Sequence, residues 1–91
     1  MIQHDDRTAE DRKTHPIIVV MTDRFMSGWG HARGGASFAG WACRFEDVDR
    51  VERWVRSRGE AKNVRIVRGN WRPKGAAHTS IYVVNDGHPA L

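Results

Sequence analysis

Residues 46–59 read Glu-Asp-Val-Asp-Arg-Val-Glu-Arg-Trp-Val-Arg-Ser-Arg-Gly, and they decide the fold because their period differs from that of every neighbouring stretch. Val51, Trp54 and Val55 follow Val48 at three, six and seven residues, so the four share one stripe of a helix. The charges agree with that reading. Glu46, Asp47 and Asp49 occupy the first turn, Arg56 and Arg58 the last, and Gly59 follows, the order favoured by the helix dipole and by a C-terminal stop. Asp49 with Arg53 and Glu52 with Arg56 form i,i+4 pairs worth roughly 0.3 kcal/mol each.

Strand signals lie on both sides of this helix. Residues 17–22 form a continuous apolar run rich in β-branched side chains, which predicts a strand covered on both faces and placed at the centre of a sheet. In residues 37–44, Phe38, Gly40 and Ala42 alternate with Ala39, Trp41 and Cys43. Neither set is polar, so the alternation does not say which points inward. Residues 63–68 set Val64 and Ile66 against Arg65 and Val67, and residues 80–85 set Ile81 and Val83 against Tyr82 and Val84. Between these last two strands, residues 69–79 read as a loop. The expected architecture is α+β: a four-stranded antiparallel or mixed sheet with one helix on one face, in the order ββαββ. A single helix covers only one face, so the other is expected to be solvated, bound to a partner or paired with a second copy. Trp41, Val67, Tyr82 and Val84 are the candidates for that open face, and a homodimer through it is the expected assembly.

Ninety-one residues with 40% hydrophobic and 29% charged side chains fit one ordinary folded domain. Residues 1–15 are polar, mixed in charge and without period, and read as a disordered arm ending at Pro16. Residues 16–86 then form the single domain and residues 87–91 a tail. The arm lacks the apolar segment of a signal peptide, and no run reaches membrane-spanning length, so a soluble, cytoplasmic protein without membrane contact is expected. Cys43 is the only cysteine, which excludes an internal disulfide and metal binding by cysteine pairs.

The chemistry-bearing stretch of most unusual composition is residues 21–37, which hold four of the nine glycines together with Phe25, Trp29, His31, Arg24 and Arg33. Glycine backbones can cradle an anion, yet Ala36, Ser37 and a strand follow where a phosphate loop needs Lys-Ser/Thr and a helix N-terminus. The alternative is a lid, with Phe25 and Trp29 folded over the core. Asp23, His31 and His78 are the available acid-base groups, and His31 has the unperturbed pKa of about 6.5 that suits a general base. No spacing ties the three together. Ser27 and Ser37 have no evident base, and Cys43, inside a strand, is expected to be buried and inert. His4, His15, His31, His78 and His88 form no i,i+4 pair and no Cys/His group, so neither metal nor cofactor is expected.

The net charge is +4, and residues 53–74 carry eight bases against one acid, Glu60. Arginine dominates among them, which suits bidentate contacts with phosphate or carboxylate. Trp71, between Arg68 and Arg72, is the tryptophan expected in solvent, whereas Trp54 belongs to the core. Flat rings beside arginines suit single-stranded bases and their backbone. The expected binding set is Trp29, His31, Arg33, Arg65, Arg68, Trp71, Arg72 and Lys74. Its partner is nucleic acid or an acidic protein surface, with no catalysis. The alternatives are a small enzyme using Asp23 and His31 and a structural dimeric interaction module.

Residues 20–32, Val-Met-Thr-Asp-Arg-Phe-Met-Ser-Gly-Trp-Gly-His-Ala, resemble the opening of small bacteriophage- and prophage-encoded proteins of unassigned activity. The likeness extends more loosely to the strand ending at Cys43, to the helix with Val51 and Arg58, and to Lys62-Asn63-Val64. It departs at Arg53-Trp54, where those proteins carry Asn-Ala, and near Ala61, where they carry methionine. The resemblance implies a cytoplasmic accessory protein that acts by binding, including inhibition of a host defence complex. It assigns no site residues. The positive charge argues against mimicry of nucleic acid.

Overall fold

The computed structural model describes residues 2–23, 36–58, 63–71 and 76–91. Their order is β1 (Ile2–Asp5), α1 (Ala9–Thr14), β2 (Ile17–Asp23), β3 (Ala36–Cys43), α2 (Val48–Ser57), β4 (Arg65–Arg68) and β5 (Ala76–Val83). The strands form one five-stranded sheet in the order β1-β5-β3-β2-β4. The α+β class is as expected; the sheet is larger than expected and mixed. β3 pairs antiparallel with β2 and parallel with β5, β5 parallel with β1, and β2 antiparallel with β4.

β2 occupies the interior its composition predicts, and its side chains from Ile17 to Thr22 are all buried. Period two divides them between the two faces of the sheet. Ile17, Val19 and Met21 join Trp41, Cys43 and Val84 beneath Val51 and Val55 of α2. Ile18 and Val20 join Ala42 and Ile81 on the opposite face, with Phe38, Val67 and Trp71 packed against them. The alternation in β3 that sequence left undecided is therefore resolved by its neighbours. Ala39, Trp41 and Cys43 face the helix, and Phe38, Gly40 and Ala42 face away.

α2 is shorter than the predicted span because a 3-10 turn, Phe45–Asp47, precedes it. Asp47 donates its backbone N–H to the Arg44 carbonyl in that turn, so the tighter hydrogen bonding takes up a donor that the helix would otherwise leave open.

Five expectations change. Residues 2–14 form β1 and α1 where composition predicts a disordered arm. An edge strand needs little apolar surface when its backbone pairs with β5, and α1 starts at a reciprocal Thr8/Asp11 capping box. Residues 76–79, read as loop, extend β5 because they lie in register with the start of β3. Trp41, Tyr82 and Val84 do not lie on the face away from α2: Trp41 and Val84 belong to the helix-side core, and Tyr82 stands beside Trp41. Val67 alone of the four is on the far face. That face is also not open at its centre, since Ile18, Val20 and Ala42 are fully buried within one chain. Their burial calls for no second copy. Finally, residues 87–91 pack rather than trail: His88 lies against the Trp54 ring and Ala90 against the core.

Candidate functional site

β4 is an edge strand and carries two of the expected binding residues. Arg65 and Arg68 are three residues apart, an odd number, so the pleat sends them to opposite faces. Arg65 pairs with Val20 on the far face, and Arg68 with Ile17 on the helix face. The Arg65 guanidinium lies 5.6 Å from the Trp71 ring centroid, and Trp71 meets Phe38 edge-on at 5.5 Å. Trp71 is thus half-buried and not the solvent-facing ring expected from its basic neighbours. The Trp71 N–H donates to the Arg68 carbonyl, closing a turn that carries the indole back onto the sheet.

Arg68 is exposed and lines an open depression of about 570 Å³ with Arg12, Pro16, Gly69 and Asn70. Arg12 was not among the expected residues because its segment read as an arm. The sequence does contain the signal for α1, in Thr8 and Asp11 at capping-box spacing. Arg12 is held by an ion pair of 2.7 Å to Asp5, which also receives a bidentate contact from Arg7 at 3.0 and 2.9 Å. The Arg7 side chain has 0% exposure and donates a further hydrogen bond of 3.1 Å to the Gly69 carbonyl. Hydrogen bonding from Arg7 lowers the Asp5 pKa from 3.8 to about 2, against the opposing effect of burial. Asp5 therefore stays ionised and keeps the buried arginine paired.

Among the described residues, the bases of this run do not converge on one patch. Arg56 is bonded to Glu52 at 2.9 Å, Arg58 lies over Trp54 and Trp41, and Arg65 and Arg68 diverge. Trp29, His31, Arg33, Arg72 and Lys74 lie outside the described residues. So does half of the Asp23/His31 pair, for Asp23 ends β2 but His31 is not described.

A second concentration of chemistry, absent from the expected set, lies beside α2. Trp41 and Trp54 meet edge-to-face at 5.4 Å, as do Trp54 and His88 at 4.7 Å, while Trp41 and Tyr82 are tilted by 34° at 5.9 Å. The Arg58 guanidinium sits 5.0 Å from the Trp54 centroid and 5.9 Å from that of Trp41. These residues, with Asp6, Met21 and Ala39, line a groove of about 490 Å³. Ala90 donates its backbone N–H to His88 Nδ1 at 3.1 Å, and partial burial lowers the His88 pKa. The neutral ring thus carries its proton on Nε2. The rings come from three separate elements and the C-terminal segment, so no spacing in the sequence announces them.

Cys43 is fully buried, and burial, with Asp47 nearby, pushes its thiol pKa up to about 12. It is an inert core residue, as its strand position implies. Among the described residues no three His, Cys, Asp or Glu side chains gather as metal ligands, and no helix is long and apolar enough to cross a membrane. In comparisons with family models, curated proteins and solved structures, nothing matches this chain.

Proposed function

We propose that this protein is a non-catalytic binding protein that holds single-stranded nucleic acid along the β4 edge. The observation that carries this reading is the arrangement of cations about that strand. Arg68 shares a depression with Arg12 and Asn70, while Arg65 is stacked on Trp71 at the other face. Guanidinium groups suit phosphate geometrically, and an arginine-backed indole suits a base. The sequence resemblance to phage-encoded proteins supports a cytoplasmic, accessory role for such binding.

The test is fluorescence anisotropy of labelled oligo-dT and oligo-U across a salt series. Phosphate-driven binding weakens steeply with salt, and loss of one phosphate contact flattens the log–log slope by about 0.7. Arg68→Ala and Arg12→Ala should each do so. Trp71→Ala combined with Arg72→Ala should weaken affinity by roughly 1–3 kcal/mol per stacked base. Flat anisotropy at the lowest salt would rule the reading out. A pull-down that survives nuclease would instead favour an acidic protein on the same edge.

A further inference from the structure

One end of the sheet closes on a small polar pocket, separate from the β4 edge and from the aromatic groove. β2 begins beside the end of β3, and β3 and β5 run parallel, so both carry their carboxyl ends to this rim. His15 lies just before β2, Arg44 directly after β3, and Asn85 and Asp86 just beyond β5. Together with Asp47, the residue before α2, they line a cavity of about 220 Å³. Drug-sized sites measure roughly 300–1,000 Å³, so the occupant that fits here has only a few heavy atoms.

The cavity is lined by charges of both signs that are not paired with one another. Among the described residues no ion pair joins Arg44 to Asp47 or to Asp86. Asp47 stands at the N-cap of α2 without accepting a cap hydrogen bond, so its carboxylate is open. His15 is only 4% exposed. Thr14 Oγ1 donates to the Glu10 carbonyl at 3.2 Å and meets His15 Nδ1 at 2.7 Å, so Nδ1 is the donor there and the neutral ring keeps an acceptor at Nε2. Opposite charges held apart around open space add little to folding, whereas a ligand that carries both signs satisfies them together. We propose that this pocket binds a small zwitterion, an α-amino acid with a short side chain. Its carboxylate takes the Arg44 guanidinium, whose planar fork matches two oxygens. Its ammonium has three N–H donors, for which Asp47, Asp86 and His15 Nε2 are three acceptors. A bare anion meets two carboxylates here and a bare amine meets the guanidinium, so neither half of the ligand suffices alone. The site shares no residue with the depression at the β4 edge and stands or falls independently of nucleic-acid binding.

Three probes that differ by one group test it: L-alanine, propionate, which lacks its ammonium, and ethylamine, which lacks its carboxylate. Each is titrated at neutral pH and constant ionic strength into the ¹⁵N-labelled full chain, with the amide signals of Asn85 and Asp86 as readout. The expected result is that alanine shifts these signals, leaves the Trp54 and Trp71 indole signals in place, and binds with a Kd on the order of 1 mM. It should bind at least about tenfold more tightly than either propionate or ethylamine. Arg44→Gln should weaken alanine at least about fivefold without weakening ethylamine. Asp86→Asn should weaken alanine and ethylamine without weakening propionate. The proposal is overturned if about 50 mM alanine shifts neither amide, if propionate or ethylamine matches alanine, or if either variant binds alanine as the parent does. Arg44 and Asp86 are both exposed, so their variants keep the fold, and the dispersion of the amide signals reports that directly.

Discussion

At the scale of single residues, Asp5 and Gly40 show how much depends on positions that look unremarkable in the chain. Asp5 partners a fully buried Arg7 side chain and an exposed Arg12. Asp5→Ala leaves the Arg7 charge buried without its carboxylate, a change that costs on the order of 3 kcal/mol. The folded pKa of Asp5 lies below the usual 3.8, at about 2, so its contribution is complete above pH 4 or so and is lost as pH falls from about 4 towards 2. Urea titrations at a series of pH values should therefore show the parent and Asp5→Ala curves converging at the acid end. Gly40 lies in the middle of β3, where an added Cβ would come within 2.6 Å of Ile18 Cγ2 and 3.7 Å of Val20 Cγ2. Ile18 is fully buried and β-branched, so that methyl has no room to turn aside. Gly40→Ala should destabilise by about 1–3 kcal/mol through overpacking, read as a lowered denaturant midpoint at unchanged slope.

At the scale of elements, α2 concentrates its contribution on one stripe. Val51 and Val55 are fully buried against β2 and β3, while the Glu52–Arg56 pair is exposed. Val55→Ala should cost about 2 kcal/mol, and Glu52→Ala no more than about 0.5 kcal/mol. Equal losses in thermal melts of the two variants would contradict this division of the helix. The stripe was legible in the sequence because spacings of three and four are a local property of the chain. Tyr82 was not placed by the same logic. In β5 both alternating sets contain apolar residues, and which set faces α2 depends on pairing with β3. Arg65 and Arg68 were legible as bases of one short strand, yet the partners that define their surroundings, Phe38 for Trp71 and Arg12 for Arg68, come from remote elements.

At the scale of the whole molecule, the N-terminal segment closes the structure. β1 pairs with β5 from Ile2↔His78 to Asp5↔Ile81, contacts separated by most of the chain, and Arg7 then reaches the Gly69 carbonyl beyond β4. The Gly69 N–H returns a hydrogen bond of 2.8 Å to the Pro16 carbonyl. Deleting residues 1–15 should do more than remove a tail. It would strip the covering strand from β5, whose residues Ala-Ala-His-Thr-Ser-Ile-Tyr-Val carry no Lys, Arg, Asp or Glu to discourage edge-to-edge pairing. The expected outcome is a lower, less cooperative melt and concentration-dependent association by light scattering. A truncated chain that stays monomeric with the parent's melting temperature would show β1 and the Arg7 contacts to be dispensable.

What the sequence determined by itself was whatever depends on near neighbours: the α2 stripe and its charge order, the buried β2 run, the small α+β class, and the inertness of the lone cysteine. Tertiary structure alone decided which face of β3 and β5 meets the helix, that residues 2–14 pack instead of trailing, that the face opposite α2 is closed at its centre, and that Trp41, Trp54, Tyr82 and His88 share one groove with Arg58. The physical reason is the range of the interaction. A helix records its amphipathic period within a few residues, whereas strand register, the pairing of a buried arginine and the assembly of rings from separate elements are fixed only when distant segments meet.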